Sequence, residues 1–404
     1  MMVTLIHTSD WQLGKPFGQM EDGAKRAVLQ GARLEALSAV GAVARDAEAD
    51  GVVVCGDLFD SPLATRAVVC AALERIGAMD CPVYAIPGNH DHAGPGTVWS
   101  AKYFEEERQA LAPNLMVLLE EKPVEVERMV LLPCPLRRRQ MTSNPLDWLA
   151  APEVWAGLST EKPRVVLAHG STQSFESDGE ERARANFLDL SWLPEGEVDY
   201  VALGDWHGVK EVTPRAWYSG SPEPDRFPKG EDYKSGVVLR VRLAERGRLP
   251  EVEVVETGRV VWARLRRRLD VQVGLDVLER ELETLFGREV RRHVVELELE
   301  GSLGLEAMER LRELLERFEA RALDLRVANR VAVAPRAADL AALALRPSDP
   351  MIAQVAGRLK AMLESTGEGQ DQAGSKVEAV DLSESEVKGA LLALYERVRK
   401  EGGV

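Results

Sequence analysis

The chain opens on an apolar run, Val3–Thr8, that ends in the polar group Ser9-Asp10-Trp11-Gln12. A short continuous apolar run bounded by polar residues predicts a buried strand with a loop after it. The pattern recurs. Gly51–Cys55 leads into Gly56-Asp57, 82–86 into Pro87-Gly88-Asn89-His90-Asp91, 164–168 into His169-Gly170, and 198–203 into Gly204-Asp205-Trp206-His207. Between the first three runs, 25–48 and 64–77 carry apolar residues at helical spacing. Alternating strands and helices predict an α/β fold, and open α/β sheets bind ligands at the carboxyl ends of their strands. Residues 234–242 and 251–255 alternate as antiparallel strands do, so the first domain is expected to span 1–258.

The pattern then changes. Residues 259–270 and 292–300 alternate like strands, 275–286 and 305–319 have helical spacing, and 322–328 makes a further strand. This β-α-β-α-β order predicts a smaller second domain at 259–346. The remainder, 347–404, holds a helix at 351–365, a Gly/Gln/Ser stretch at 366–375 with linker composition, and a helix at 384–400. No internal repeat is present.

Composition narrows the class. The 404 residues exceed one ordinary core, and 45% apolar with 29% charged residues suits a soluble globular protein. No apolar run approaches the ~18 residues that span a bilayer. The start, Met1-Met2-Val3-Thr4-Leu5-Ile6, lacks a basic region and a cleavage site, so neither a signal peptide nor membrane attachment is expected. Cys55, Cys70, Cys81 and Cys134 show no CxxC spacing and are expected as buried free thiols in the reducing cytoplasm. A formal net charge of -15 argues against a broadly basic nucleic-acid binder. It leaves open a local positive field supplied by metal ions and a few arginines.

The groups after the strands are rich in Asp, Asn and His. Hydrolysis of a phosphodiester needs an activated water, neutralisation of developing charge, and a proton for the leaving oxygen. Two divalent metals ~3.5–4 Å apart meet the first two needs. A histidine commonly meets the third. A Gly-Asp after one strand is usually only a turn; five such groups, each after a buried strand, are hard to obtain by accident.

In order, these groups resemble the signature of calcineurin-like metallophosphoesterases: Asp-x-His, Gly-Asp-x-x-Asp, Gly-Asn-His-Asp, His and Gly-His-x-His. The run His7-Thr8-Ser9-Asp10-Trp11-Gln12-Leu13-Gly14-Lys15, then Gly56-Asp57-Leu58-Phe59-Asp60-Ser61 and Tyr218-Ser219-Gly220-Ser221-Pro222-Glu223, resembles the SbcD-type DNA-repair nucleases in particular. The resemblance implies a β-sandwich flanked by helices, an α/β capping domain and C-terminal helices. It also implies that Asp57 bridges two metals, Asp10 and His207 hold the first, and Asn89 and His169 hold the second. Gln12 and Asp205 stand at two positions where the family usually has His. His90 would protonate the leaving oxygen, with Asp60 orienting it. The Gln and Asp make the ligand set richer in oxygen, which favours Mn²⁺, or Mg²⁺, over zinc.

Arg137, Arg138 and Arg139 follow an apolar strand and are candidates for phosphate contacts, or form a solvated turn. Arg264, Arg266 and Arg268 share one strand face. Arg264 and Arg266 are candidate DNA contacts, or balance the charge of Glu296, Glu298 and Glu300 across the sheet. Trp11 and Trp206 either stack on a base or wedge the loops. The apolar stripe Val387, Ala390, Leu391, Leu394 and Val398 either docks on a partner or folds back on the capping domain. The resemblance implies a partner, the coiled-coil ATPase SbcC, with DNA as substrate, and admits a homodimer. The expected function is a two-metal DNA exonuclease and endonuclease in repair. The alternatives are a phosphodiesterase or phosphatase acting on a nucleotide or phosphoprotein, and a non-catalytic DNA-binding scaffold.

Overall fold

Strand β1 (Val3–Thr8) pairs with β2 (Gly51–Cys55) in parallel and with β11 (Val237–Leu243) in antiparallel fashion. In this computed structural model they belong to a six-stranded sheet completed by β12 (Glu251–Glu256), β3 (Val83–Ile86) and β4 (Leu115–Val117), in the order β12-β11-β1-β2-β3-β4. A second six-stranded sheet takes β5 (Val124–Glu125), β6 (Val130–Cys134), β7 (Arg164–His169), β8 (Tyr200–Gly204), β9 (Lys210–Thr213) and β10 (Ala216–Tyr218) in the order β5-β6-β7-β8-β10-β9. The structure describes residues 2–172, 185–194, 196–230, 232–270, 272–334, 343, 350–367 and 383–400. The chain divides into two compact units, Met1–Trp262 and Ala263–Val404.

In the first unit the sheets face one another. Leu5, Val53, Ile86 and Leu239 of one meet Leu131, Val165, Leu167 and Tyr200 of the other. On its outer face the first sheet buries Ile6, Val52, Val54 and Ala85 against α1 (Gly23–Asp46), α2 (Arg66–Gly77) and α3 (Lys102–Leu111), which contribute Leu37, Val40, Leu73 and Phe104. The second sheet buries Leu132, Val166 and Leu203 against Leu146, Leu149 and Val154, the last on the short helix α4 (Pro152–Trp155). This is the expected β-sandwich flanked by helices. Its central strands are covered on both faces, which is why they are continuous apolar runs in the sequence. By length and apolar content α1 could cross a bilayer, yet its Leu29, Ala36, Leu37 and Val40 stripe is buried in this core.

The unit division falls inside β13 (Val261–Leu269), whereas the sequence expectation put the boundary at 258. Three contacts carry the chain past that point: Glu223 accepts the backbone N–H groups of Arg259 and Val260, and Trp262 packs edge-on against Phe227. In the second unit β13, β14 (His293–Leu303) and β15 (Asp324–Val333) form a three-stranded sheet. Helices α5 (Gln272–Phe286) and α6 (Leu305–Arg321) cover it through Leu278, Leu282, Leu311 and Phe318. Helices α7 (Pro350–Gly367) and α8 (Glu384–Lys400) join α6 in a small cluster of Leu305, Ala356, Leu359, Val387, Leu391 and Tyr395. Val387, Ala390, Leu391 and Leu394 of the stripe on the last helix therefore pack within their own unit. The expected linker at 366–375 lies outside the described residues after its first two positions, as does the expected boundary at 346.

Candidate metal centre

Strands β1, β2, β3, β7 and β8 deliver their carboxyl ends to one place. There Asp10, Gln12, Asp57 and Asp205 take positive φ angles of 55°, 41°, 57° and 99°. Residues with a Cβ rarely adopt this region, and each instance costs on the order of 1–3 kcal/mol. Surrounding hydrogen bonds hold these turns. Asp10 N–H donates to Gly56 O at 3.1 Å and Gln12 N–H to Asp57 O at 2.7 Å. The buried Arg33 of α1 donates to the carbonyls of Asp10 and Trp11, both at 2.8 Å. Nearby, Tyr218 OH donates to Gly170 O at 2.8 Å. The loops approach so closely that a Cβ on Gly88 would overlap the Asp57 carboxylate, and one on Gly56 the ring of His169.

Asp91 is fully buried and accepts from the N–H groups of Gly88 (2.7 Å), Leu58 (2.8 Å) and Phe59 (3.2 Å), joining the β2 and β3 loops. Burial, reinforced by the nearby charge of Asp57, pushes its carboxyl up to about 7.

Around Asp57 the other groups fall into two sets. On one side, His207 Nε2 is 3.7 Å from Asp10 Oδ1, a buried oxygen without a hydrogen-bond partner among the described residues. On the other, His169 Nε2 faces Asn89 Oδ1 at 3.2 Å, Asp57 Oδ1 at 3.6 Å and Asp205 Oδ1 at 3.8 Å. Ligand atoms of Asp10, Asp57 and His169 lie within 4.8 Å of one another. Each histidine is held by its other nitrogen: His169 Nδ1 donates to Cys55 O at 2.8 Å and His207 Nδ1 to Asp225 Oδ1 at 3.1 Å. A carbonyl and a carboxylate only accept, so both Nε2 atoms present a lone pair to the centre. For His169 that lone pair meets three oxygens, an arrangement that needs a proton or a cation among them. Burial disfavours the imidazolium, yet Asp57, Asp10 and Asp205 raise its pKa to about 9. The same positive charge is what a divalent ion provides, and the carboxylate, imidazole and amide donors suit one.

His90 N–H donates to Asp57 Oδ1 at 2.8 Å. Its Nδ1 donates to the backbone carbonyl of Asp60 at 3.0 Å, while the Asp60 carboxylate is further away at 3.6 Å. Asp60 thus holds the ring mainly through its main chain. Gln12 Oε1 accepts from Lys15 Nζ at 2.7 Å, and its Nε2 donates to Asp57 Oδ2 at 3.3 Å. Lys15 also meets Asp225 Oδ2 at 2.7 Å, and Arg226 forks the same carboxylate through Nε (2.9 Å) and Nη2 (3.0 Å).

Sequence reasoning gave no role to Arg33, Asp91, Asp225 or Arg226. Asp91 was in plain view as the last residue of Gly-Asn-His-Asp; the others carry no local signal. Trp11 is a wedge, 1% exposed, with Nε1 donating to Thr8 Oγ1. Trp206 is half-buried against Tyr233, with Lys229 Nζ 5.2 Å from its ring centre. Arg137, Arg138 and Arg139 are exposed, and Arg137 pairs with Glu121 at 3.5 Å. In the second unit Arg264 and Arg266 pair across the sheet with Glu296 (2.6 Å) and Glu298 (2.9 Å).

Two comparisons bear on this arrangement. A family model described as calcineurin-like phosphoesterase matches residues 3–229. The chain is also similar to the SbcD component of the nuclease SbcCD of Bacillus subtilis (strain 168), with 23% identity over 345 residues, covering 76% of this chain and 82% of that protein.

Proposed function

The chain belongs to the calcineurin-like phosphoesterase family, and on that premise we propose that it is a two-metal DNA exonuclease and endonuclease acting in repair with an SbcC-like ATPase. The observation that carries this reading is the pair of ligand sets that share Asp57, with His90 bonded to the same carboxylate. Asp10 and His207 would hold one ion, Asn89, His169 and Asp205 the other, and Asp57 both. Bound there, divalent ions supply charge neutralisation at the phosphate and lower the pKa of an attacking water. Asp205 adds a hard oxygen where the family usually has imidazole, which supports Mn²⁺ first and Mg²⁺ second.

The protein's own residues orient and protonate. With Nδ1 on the Asp60 carbonyl, Nε2 is the remaining ring nitrogen of His90, and the side chain is 31% exposed, so it can reach a leaving sugar oxygen. Arg33, Asp91 and the glycine contacts fix the loops before substrate arrives. Arg137, Arg138 and Arg139 are available for backbone phosphates. Arg264 and Arg266 are committed to glutamates, which lowers their weight as DNA contacts. The nuclease relative supports DNA as substrate and an SbcC-type partner. Cys55 and Cys134 are buried as expected, whereas Cys70 and Cys81 are only half-buried; free thiols at all four agree with a reducing cytoplasm.

His90→Ala tests the assignment. It is expected to lose most cleavage of labelled DNA while binding Mn²⁺ as the wild type does. Undiminished cleavage would remove His90 from the chemistry, and cleavage of nucleotides or phosphopeptides with none of DNA would replace the substrate class.

A further inference from the structure

Gln12 is 2% exposed, and its three polar neighbours agree on which way its amide points. Lys15 Nζ stands 2.7 Å from Oε1, and an ammonium only donates, so the atom facing it is the oxygen. Nε2 lies 3.3 Å from Asp57 Oδ2, which accepts, and 3.4 Å from His207 Nε2, which carries a lone pair because Nδ1 gives its proton to Asp225. Turning the amide over would set donor against donor at Lys15 and acceptor against acceptor at the other two. Lys15 is itself anchored, 2.7 Å from the Asp225 carboxylate that also holds His207.

We propose that Lys15 fixes Gln12 as a hydrogen-bond donor to Asp57 and withholds its oxygen from a cation bound between Asp10 and His207. The inference rests on the metal-centre reading above. Lys15 is then a positioning residue that acts through Gln12. Asp10, Asp57 and His207 would then be the protein ligands of that cation, one fewer than the strand-end motif offers. A lysine three residues after the substituted ligand position thereby converts a missing histidine into an organised donor instead of a weak oxygen ligand.

Mn²⁺ binding to the full chain, measured by titration calorimetry, tests this without relying on activity. Lys15→Met removes the donor and frees the amide to turn its oxygen inward. It also removes a positive charge, which tightens cation binding whether or not Gln12 moves. A double-mutant cycle with Gln12→Met separates the two effects. Lys15→Met is expected to tighten Mn²⁺ binding by about tenfold in the wild-type background, the scale of groups that orient ligands. In the Gln12→Met background the gain should be markedly smaller. Lys15→Arg, which keeps charge and donors, should bind Mn²⁺ as the wild type does and reports whether substitution at this position is tolerated. Equal gains from Lys15→Met in both backgrounds, or tightening by Lys15→Arg, would overturn the proposal. Wild-type protein that binds no Mn²⁺ would instead remove the metal-centre reading itself.

Discussion

Asp225 accepts the Nδ1 proton of His207 at 3.1 Å, and this bond decides which ring nitrogen faces the centre. Arg226 and Lys15 clamp the same carboxylate, so the ring is held by a braced anion and not by a mobile one. Asp225→Asn should weaken Mn²⁺ binding by about 10–100-fold, the usual effect of losing a partner that orients a ligating histidine. Calorimetry of wild type and variant measures it. Unchanged affinity, in a variant whose circular dichroism matches wild type, would mean that Asp225 does not set the tautomer.

Gly88 has no room for a side chain because the Asp57 carboxylate occupies the space a Cβ would take. Gly88→Ala should displace the carboxylate on which both ligand sets depend. Loss of cleavage together with loss of Mn²⁺ binding is expected, with the fold retained. An alanine variant with wild-type metal affinity would show that the loop gives way without moving Asp57.

Glu223 links stability to pH. It is 2% exposed, and burial raises its carboxyl from the ordinary 4.5 to about 7, against the pull of two backbone N–H groups and Arg33. Between these values the folded chain holds a proton that the unfolded chain has released, so stability falls as pH rises. The contribution is fully present below 4.5, is lost on the way to about 7 and is flat beyond. A shift of this size corresponds to roughly 3 kcal/mol. Glu223→Gln cannot ionise and should therefore gain on wild type as pH rises. Urea midpoints at about pH 5 and about pH 8 measure this, and the same difference at both would contradict it.

The strands that carry the centre were legible because burial on both faces makes them unbroken apolar runs, each ending on a polar group. Helix α3 was not: among its charged residues Phe104 alone is buried, which leaves no periodicity to detect. The short β9 and β10 gave too few residues to alternate. The ligand candidates were visible as motifs, but their braces were not. Arg33 reaches back 23 residues to the Asp10 carbonyl, and Asp225 reaches 18 to His207. Such roles arise when the chain folds back on itself, and no local composition marks them. The orientation of Gln12 belongs to the same class. Its residue type suggested an oxygen ligand, and only the placement of Lys15, Asp57 and His207 shows which end of the amide faces the centre.

Metal-dependent cutting of DNA at a centre built on Asp57 is decided by cleavage of a labelled duplex with single-stranded overhangs. Wild type and Asp57→Asn are each assayed with Mn²⁺, Mg²⁺ or a chelator. Wild type is expected to cut with Mn²⁺, to cut less with Mg²⁺ and to stop with chelator, and the variant to cut under no condition. Cutting that survives the chelator or the substitution, or a wild type that cuts no DNA with either metal, would refute the centre as the seat of nuclease activity.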